Sequence, residues 1–344
     1  MAQSKTAGVS DLRADERIVF FTTAAHTSAD GRDWIVPIHG RIYRPERSVA
    51  RKAVIARALK SGFGIVPDRE SNARFSERVD LLLADNKGGR RIVVAFGTRD
   101  VALPVSGADG HFAAQLRLPA SEVAPDARNG SLGYRARLAA RDPRTFLGTV
   151  LLLQAEGVSV ISDIDDTVKI TWVTDTRRML EATFLKPFEA VPGMARLYTT
   201  WSASGAAFHY VSSSPWHLYE PLSAFLDAAG FPLASIDLKK VRLKDGSIRN
   251  IVADSTITKP PVIEALLAAH PARRFVLVGD SGEKDPEIYG DVLRRHPARI
   301  VRVFIRNVTG AGATDARFTR AFSGIDPARW QLFTEADELP MSPK

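Results

Sequence analysis

The sequence predicts an α/β fold with a parallel sheet, preceded by a β-rich, sandwich-like domain. After about residue 156, short apolar strands alternate with helical segments, as a parallel sheet with crossover helices requires. Between residues 75 and 153, short runs of strand-forming residues are separated by turn-rich sequences such as DNKGGR and SGADG. The length of 344 residues exceeds what one core usually holds, so we expect two domains.

Composition excludes several kinds of site. The chain contains no cysteine, which excludes disulfides, thiolate catalysis and zinc–thiolate sites. None of the 7 histidines stands in a metal-ligand spacing such as HExxH. The formal net charge of +8 suggests an anionic partner, although solubility alone would explain it equally well.

Targeting signals are not recognised in the sequence. No apolar run reaches the roughly 20 residues that a transmembrane helix needs. The first thirty residues lack a basic start followed by an apolar core, so no secretion signal is predicted. We therefore expect a cytoplasmic protein without a transmembrane segment, for which peripheral contact with a membrane is an option. No nucleic-acid-binding motif is found, so no nucleic acid partner is expected.

The N-terminal elements follow from local patterns. Residues 1–14 are predicted to be a disordered tail, residues 15–155 the β-rich domain and residues 156–344 the second domain. From Pro45 onward the sequence predicts a basic amphipathic helix, which either docks on its own domain or lies on an anionic membrane. Strands of an antiparallel sandwich are predicted at 34–43, 79–84, 92–96, 112–118, 134–140 and 146–153.

The second domain is predicted as a doubly covered sheet. Runs such as FVLV are apolar on both faces, which favours a sheet with helices on both sides. Its strands are predicted from residue 158 and at 206–211, 274–279 and 299–305. Its helices are predicted at 176–200, 217–229, 260–270 and 285–296. Ligands of such sheets bind beyond the carboxyl ends of the strands, where polar clusters occur in this sequence.

Four polar groups follow these strands or begin a helix. They are the D-I-D-D-T stretch with Asp163, Asp165, Asp166 and Thr167, the serines Ser212, Ser213 and Ser214, Lys259, and the segment Gly279–Asp285. Crowded carboxylates are tolerable when a divalent cation neutralises them, and Mg²⁺ prefers a few carboxylates together with a substrate phosphate. Asp163 and Asp280 follow different strands and can converge on one ion.

Such a site has a definite chemistry. A carboxylate can attack phosphorus and form an aspartyl-phosphate, while a second acid two residues later protonates the leaving alkoxide and then activates water. A hydroxyl and an ammonium group can hold the phosphoryl oxygens. Each signal alone has an ordinary alternative, namely a chance acidic turn, a helix-capping serine or a surface lysine. The joint order of the four groups favours the site.

The order D-x-D-x-T, Ser, Lys and G-D-x4-D resembles the haloacid dehalogenase-like phosphohydrolase superfamily. Within it, DIDDTVK, VSSSPWHLYEPL and FVLVGDSGEKDPEIY resemble the catalytic domain of the actin-patch-associated phosphatidate phosphatases, over roughly residues 156–335. The resemblance implies a Rossmannoid parallel sheet with only a minimal cap. It also implies a Mg²⁺-dependent phosphatase whose substrate is a phosphomonoester, with phosphatidate as the first candidate.

The resemblance implies roles for the matching positions. Asp163 would be the nucleophile and a metal ligand, and Asp165 the general acid and base with its backbone carbonyl on the metal. Thr167 would set the loop geometry. Ser212 would contact the phosphoryl group, with the register open across the three serines, and Lys259 would neutralise the phosphoryl oxygens.

The remaining implied positions concern the metal and the substrate. Asp280 would bind Mg²⁺ and Asp285 would support it. Ser213 and Ser214 are further substrate-binding candidates, as are Lys240 and Arg242, which belong to a predicted basic hairpin at 238–250. That hairpin could contact an anionic bilayer or be an ordinary solvated hairpin.

The substrate prediction rests on the size of the insertions. Only 48 residues separate Asp163 from Ser212, too few for a large lid, so the pocket could admit a phospholipid headgroup. Phe184, Leu185, Pro187 and Phe188 could line that pocket, enter lipid or belong to the core. The expected partner is an anionic phospholipid. The alternatives are a soluble phosphomonoester or phosphoprotein, or a non-catalytic module that binds anionic lipid.

Overall fold

The computed structural model describes residues 8–46, 48–240 and 258–343. The chain divides into two compact units. The first comprises Met1–Ser48, Leu83–Gln154 and Ala234–Ile236, and the second comprises Val49–Leu82, Ala155–Leu233 and Asp237–Lys344. Within the described part, no helix is both long and apolar enough to cross a bilayer.

The first unit is built on one hydrogen-bonded sheet. Its strands are β1 (Arg17–Phe21), β2 (Thr23–Thr27), β3 (Asp33–Arg44), β4 (Asp85–Asn86), β5 (Val93–Phe96), β6 (Arg99–Ala102), β7 (His111–Pro119), β8 (Ala127–Arg128), β9 (Ser131–Ala136) and β10 (Leu147–Leu153). A short helix, α3 (Ala120–Val123), follows β7. The main strand order is β1-β3-β2-β10-β9-β5-β6.

The long strand β3 explains why one sheet replaces the two of the predicted sandwich. Its twelve residues are enough to pair with β1, β2, β4 and β7, and its pairing with β7 is antiparallel over nine residues from Asp33 to Arg41. Trp34, Val36 and Ile38 alternate along it into the core. The predicted disordered tail also differs, because the Ser10 hydroxyl donates to the carbonyl of Val93 at 3.1 Å; residues 1–7 lie outside the described part.

The second unit begins with two helices, α1 (Val49–Phe63) and α2 (Asn72–Leu83). The strand predicted at 79–84 is therefore wrong. Phe75, Val79 and Leu82 are buried at helical spacing, and the short apolar run concealed this period. The basic helix predicted from Pro45 onward corresponds to α1. It buries Ile55 and Leu59 but leaves Val54 exposed.

A six-stranded sheet forms the centre of the second unit. Its strands are β11 (Gly157–Ser162), β12 (Ala207–Pro215), β13 (Ala234–Lys239), β14 (Arg273–Asp280), β15 (Ile300–Arg306) and β16 (Trp330–Phe333). The order is β13-β12-β11-β14-β15-β16, and β11, β12, β14, β15 and β16 pair in parallel. The α/β prediction is confirmed for this part. Because β11 lies between β12 and β14, the carboxyl ends of these three strands are adjacent.

Helices connect these strands. They are α4 (Thr176–Phe184), α5 (Met194–Ala203), α6 (Tyr219–Ala228), α7 (Lys259–Ala269), α8 (Asp285–Arg295) and α9 (Ala316–Ala321). The single helix predicted at 176–200 is two helices, because Pro187 and Gly193, whose φ is 77°, fall between them. The predictions of four strands and of the other three helices are confirmed within a few residues.

The segment Val49–Leu82 belongs to the second unit, whereas the sequence suggested the first. A physical reason is the contact between α2 and the end of α4. Arg78 is buried, and its Nη1 donates to the carbonyl oxygens of Thr183 at 2.6 Å and Lys186 at 2.9 Å. Carbonyls at a helix end have no partner within the helix, so a cation from α2 satisfies them.

Candidate active site

Asp163 stands at the carboxyl end of the central strand β11. Its backbone N–H donates to the carbonyl of Val278 on β14 at 2.9 Å, which continues the sheet pairing by one residue. Its carboxylate is buried, and Oδ2 accepts a hydrogen bond from the Thr167 hydroxyl at 3.2 Å. The strand end and the following turn thus fix this side chain beside the neighbouring strand.

Three buried carboxylates meet at this point. One carboxylate oxygen from each of Asp163, Asp280 and Asp285 lies within 4.8 Å of the other two. Oδ1 of Asp280 accepts from the N–H groups of Gly282 at 2.5 Å and Glu283 at 3.1 Å. Its Oδ2 is buried and has no hydrogen-bond partner among the described residues. Burial, followed by the neighbouring acids, raises the pKa of Asp280 well above its usual range.

Lys259 is the counter-charge within this cluster. It is the first residue of α7 and is fully buried, with Nζ 2.5 Å from Asp285 Oδ1, 2.9 Å from Asp163 Oδ1 and 3.2 Å from Glu283 Oε2. Burial alone would lower the pKa of Lys259, but Asp163 and the other carboxylates raise it well above its usual value. One ammonium group therefore faces an excess of acids.

The cluster fits a divalent cation. The donors are all oxygen atoms, the unpaired Oδ2 of Asp280 is available as a ligand, and a single lysine does not balance the carboxylates. Hard oxygen donors of this kind suit Mg²⁺ or a similar ion.

Asp165 has both carboxylate oxygens occupied. Oδ1 contacts Lys169 Nζ at 2.8 Å and accepts from the Thr171 hydroxyl at 2.9 Å. Oδ2 accepts from the hydroxyls of Ser212 at 2.9 Å and Ser214 at 2.8 Å. Burial would raise the pKa of Asp165, but Lys169, followed by the hydroxyls of Ser214 and Thr171, holds it at about 2. In this arrangement Asp165 is an ionised, fixed carboxylate.

The serines occupy different positions along β12. Because side chains alternate along a strand, Ser212 and Ser214 share one side, and both reach Asp165. The hydroxyl of Ser213 is buried and forms no hydrogen bond among the described residues. The structure thus brings two of the three candidate serines to the site.

Lys169 was missed by the sequence reasoning. Its side chain is 2% exposed, and its Nζ lies 5.0 Å from the centre of the Phe188 ring. The Arg78 guanidinium lies 3.9 Å from the same ring centre. A lysine four residues after Asp165 in DIDDTVK was the available signal.

Asp166 organises the loop that follows. Its φ is 55°, and its carboxylate accepts from the N–H groups of Thr171 at 2.7 Å, Trp172 at 2.9 Å and Val173 at 2.6 Å. Its backbone carbonyl accepts from Arg306 at 2.8 Å. The third carboxylate of the D-I-D-D-T stretch is therefore used to hold the loop.

Gly279 permits Asp285 to approach the strand end. A Cβ atom at position 279 would lie 2.2 Å from Asp285 Oδ2, which itself accepts from the Asp280 N–H at 3.2 Å. Only glycine leaves space for this contact.

The predicted basic hairpin lies largely outside the described residues. Lys240 is described, and it is exposed directly after β13. Arg242 and the rest of the predicted hairpin to residue 250 fall in the part that the structure does not describe. Substrate-binding roles for Lys240 and Arg242 therefore stay predictions.

Comparison with known proteins relates this segment to one family. Residues 158–307 match the family model described as phosphatidate phosphatase APP1, catalytic domain. The match covers less than half of the chain and contains Asp163, Asp165, Ser212, Lys259 and Asp280.

Two fungal proteins are similar to slightly less than half of the chain. An uncharacterized protein of Schizosaccharomyces pombe is 34% identical over 169 residues, which is 48% of this chain and 27% of that protein. Phosphatidate phosphatase APP1 of Saccharomyces cerevisiae is 34% identical over 154 residues, which is 44% of this chain and 26% of that protein. The similarity thus spans about a quarter of each fungal protein.

Proposed function

We propose that the chain is a Mg²⁺-dependent phosphatase that hydrolyses phosphatidate to diacylglycerol through an aspartyl-phosphate, on a haloacid dehalogenase-like fold. The observation that carries the proposal is the convergence of Asp163, Asp280 and Asp285 within 4.8 Å, next to the buried Lys259. The match of residues 158–307 to a phosphatidate phosphatase catalytic domain supports the same reaction.

The proposed roles follow from the positions of the side chains. An oxygen of Asp163 attacks phosphorus, and the bond from phosphorus to the glycerol oxygen breaks. Asp165, which is ionised without substrate, must first take up a proton from solvent; it then gives that proton to the departing oxygen, so that an alcohol leaves. Asp165 then takes a proton from water, whose oxygen attacks the phosphorus. The bond between phosphorus and the Asp163 oxygen breaks, which releases inorganic phosphate and restores the carboxylate of Asp163.

Charge balance falls to the surrounding groups. Lys259, already 2.9 Å from Asp163, would neutralise the phosphoryl oxygens. Asp163, Asp280 and Asp285 would hold the metal ion, which when bound supplies positive charge to the phosphoryl oxygens. Ser212 and Ser214 donate to Oδ2 of Asp165, and one of these hydroxyls would move away when a protonated Oδ2 donates to the leaving oxygen.

The test is phosphate release by the full chain from phosphatidate in detergent micelles and from a panel of soluble phosphomonoesters, with Mg²⁺ or with a chelator. We expect turnover of phosphatidate that the chelator abolishes and that Asp163→Asn reduces below detection. Asp291→Asn, which changes an exposed carboxylate on α8, is the matched control and should keep full activity.

Each other result has a defined meaning. Phosphatidate hydrolysis that persists in Asp163→Asn refutes the assigned nucleophile. Hydrolysis of soluble phosphomonoesters alone refutes the lipid substrate. Binding of phosphatidate vesicles without any turnover refutes the enzymatic proposal and favours a lipid-binding module.

A further inference from the structure

Trp172 is an exposed aromatic residue close to the carboxylate cluster. The chain has 5 tryptophans, all within the described residues. Three of the others are buried, and Trp330 stacks on Phe322 with ring centres 4.2 Å apart. Trp172 is 44% exposed. A tryptophan ring has an apolar body and a polar N–H, so this ring beside the candidate active site is available for contact with a surface that is partly apolar.

The backbone at Trp172 is held in a costly conformation. Its φ is 64°, in the left-handed region, where a non-glycine residue costs about 1–3 kcal/mol. The Asp166 carboxylate holds it there by accepting the N–H groups of residues 171, 172 and 173. Asp166 has a positive φ of its own, at 55°. Such strain persists only where the surrounding structure imposes it, so this loop is built to present Trp172.

The residues beside Trp172 touch both sides of the site. On one side, the Thr171 hydroxyl donates to Asp165 Oδ1 at 2.9 Å. On the other, Val173 packs so close to Gly282 that a Cβ there would lie 2.6 Å from Val173 Cγ2. The Gly282 N–H in turn donates to Asp280. Trp172 therefore lies on the rim of the site.

A cation accompanies the ring. The Arg178 guanidinium lies 4.2 Å from the centre of the Trp172 ring, and Arg178 makes no salt bridge among the described residues. Its neighbour Arg177 is paired with Glu181 at 3.1 Å. An amphipathic ring with an uncompensated arginine matches the headgroup level of an anionic bilayer, where tryptophan is enriched and arginine meets phosphate.

We propose that Trp172 and Arg178 form a rim that enters the headgroup region of an anionic phospholipid bilayer while the phosphate reaches the carboxylate cluster. The rim rests on the proposed function, because it would hold the chain at the membrane that contains its lipid substrate. The occupant is a bilayer surface containing phosphatidate.

The test uses the Asp163→Asn chain, so that no substrate is consumed, with vesicles of phosphatidylcholine and phosphatidate. Brominated phosphatidylcholine should quench the fluorescence of Trp172, and adding Trp172→Phe should remove most of that quenching, because the other tryptophans are buried or stacked. In sedimentation, Trp172→Ala should bind vesicles about tenfold more weakly. Arg178→Ala should bind about fivefold more weakly.

Two matched controls accompany these variants. Arg177→Ala removes the same charge from the adjacent position, and Leu233→Ala removes an exposed apolar side chain elsewhere; both should bind vesicles like the parent chain. If Trp172→Ala is unstable, Trp172→Phe and Arg178→Ala decide the question. Thermal denaturation of each variant identifies that case.

The outcomes separate the rim from the proposed function. Vesicle binding that is unchanged in Trp172→Ala and Arg178→Ala overturns the rim, even if the wild-type chain hydrolyses phosphatidate. Quenching that survives Trp172→Phe overturns it as well. Trp172-dependent vesicle binding by a wild-type chain that does not hydrolyse phosphatidate refutes the proposed reaction and supports the rim.

Discussion

Lys169 places its Nζ 2.8 Å from Oδ1 of Asp165, and both side chains are almost completely buried. The two residues are four positions apart, and their backbones form an isolated β-bridge outside the regular strands. Lys169 thereby fixes Oδ1 of the carboxylate. Only Oδ2, which accepts from Ser212 and Ser214, is then available to change its hydrogen-bond partners.

We expect Lys169→Met to lower kcat for phosphatidate by about 10- to 100-fold, because a hydrogen bond to a buried charged group contributes about 1.5–3 kcal/mol. KM should change less, since Lys169 acts through Asp165. Steady-state kinetics over a range of phosphatidate concentrations separates the two constants. Lys186→Met, at an exposed position, is the control. Equal losses in both variants would contradict the prediction.

Phe188 should hold Lys169 through its ring. Arg78 and Lys169 lie 3.9 Å and 5.0 Å from the ring centre, and each such contact contributes about 0.5–2 kcal/mol. We expect Phe188→Leu to lower kcat by about tenfold. Phe188→Tyr keeps the aromatic face and should restore most of the loss. A leucine variant as active as the tyrosine variant would show that only side-chain volume matters here.

Asp280→Asn should weaken metal binding, since its unpaired Oδ2 is a candidate ligand. Loss of even an outer partner of a metal ligand costs about 10- to 100-fold in affinity, so the Mg²⁺ concentration for half-maximal thermal stabilisation should rise at least as much. Thermal denaturation in a Mg²⁺ titration measures this without reference to turnover. Asp227→Asn, at an exposed position on α6, should titrate like the wild type. Identical titrations of both variants would rule out Asp280 as a ligand.

Gly279→Ala should displace Asp285, because the added Cβ would lie 2.2 Å from the carboxylate. Overpacking of this kind costs about 1–3 kcal/mol in the free energy of unfolding. Urea denaturation gives that value. Gly62→Ala in α1 is the control, since nothing lies within 4 Å of its Cβ and alanine favours the helix by up to about 1 kcal/mol. Equal stability of Gly279→Ala and the wild type would contradict the tight contact.

His209 should make stability fall with acidification. It is fully buried on β12, where burial, and then His270 and Arg273, lower its pKa well below 6.5. Below pH 6.5, His209 is protonated in the unfolded chain but stays neutral in the folded chain. The free energy of unfolding should therefore fall in that range by about 1.4 kcal/mol per pH unit. Urea denaturation at pH 7 and pH 5.5 tests this. His209→Gln should reduce the difference, and an unchanged difference would assign it to other groups.

The sheet of the second unit was predictable because its strands are apolar on both faces. Asp163, Ser212 and Asp280 could be located from sequence, since each lies at or near the carboxyl end of such a strand and the strands are adjacent. The fold of α2 could not be read as easily. Its Val79–Leu83 run is short and mostly apolar, with Asp80 as the one charged residue, so a strand and a buried helix turn look alike at that length.

The partners of Asp165 could not be assigned from sequence alone. Lys169 follows several acids, and a solvated lysine in that position would have the same sequence. The ammonium group is buried only in the tertiary fold, where Phe188, in the segment after α4, packs over it. The partners of Asp166 could not be assigned for a similar reason, because they are backbone N–H groups five to seven residues further along.

The four contacts at Asp165 have a consequence for affinity. In the proposed reaction, a serine hydroxyl that already donates to Oδ2 must move away before a protonated Oδ2 can donate to the ester oxygen of the substrate. Binding of the ester would therefore cost one hydrogen bond to Oδ2. That cost would be offset only when the ester oxygen gains negative charge as its bond to phosphorus breaks, because it then accepts a stronger hydrogen bond. If the proposed reaction holds, displacing a serine hydroxyl would weaken substrate binding in the ground state and would be offset only in the transition state, which favours a higher kcat over a lower KM.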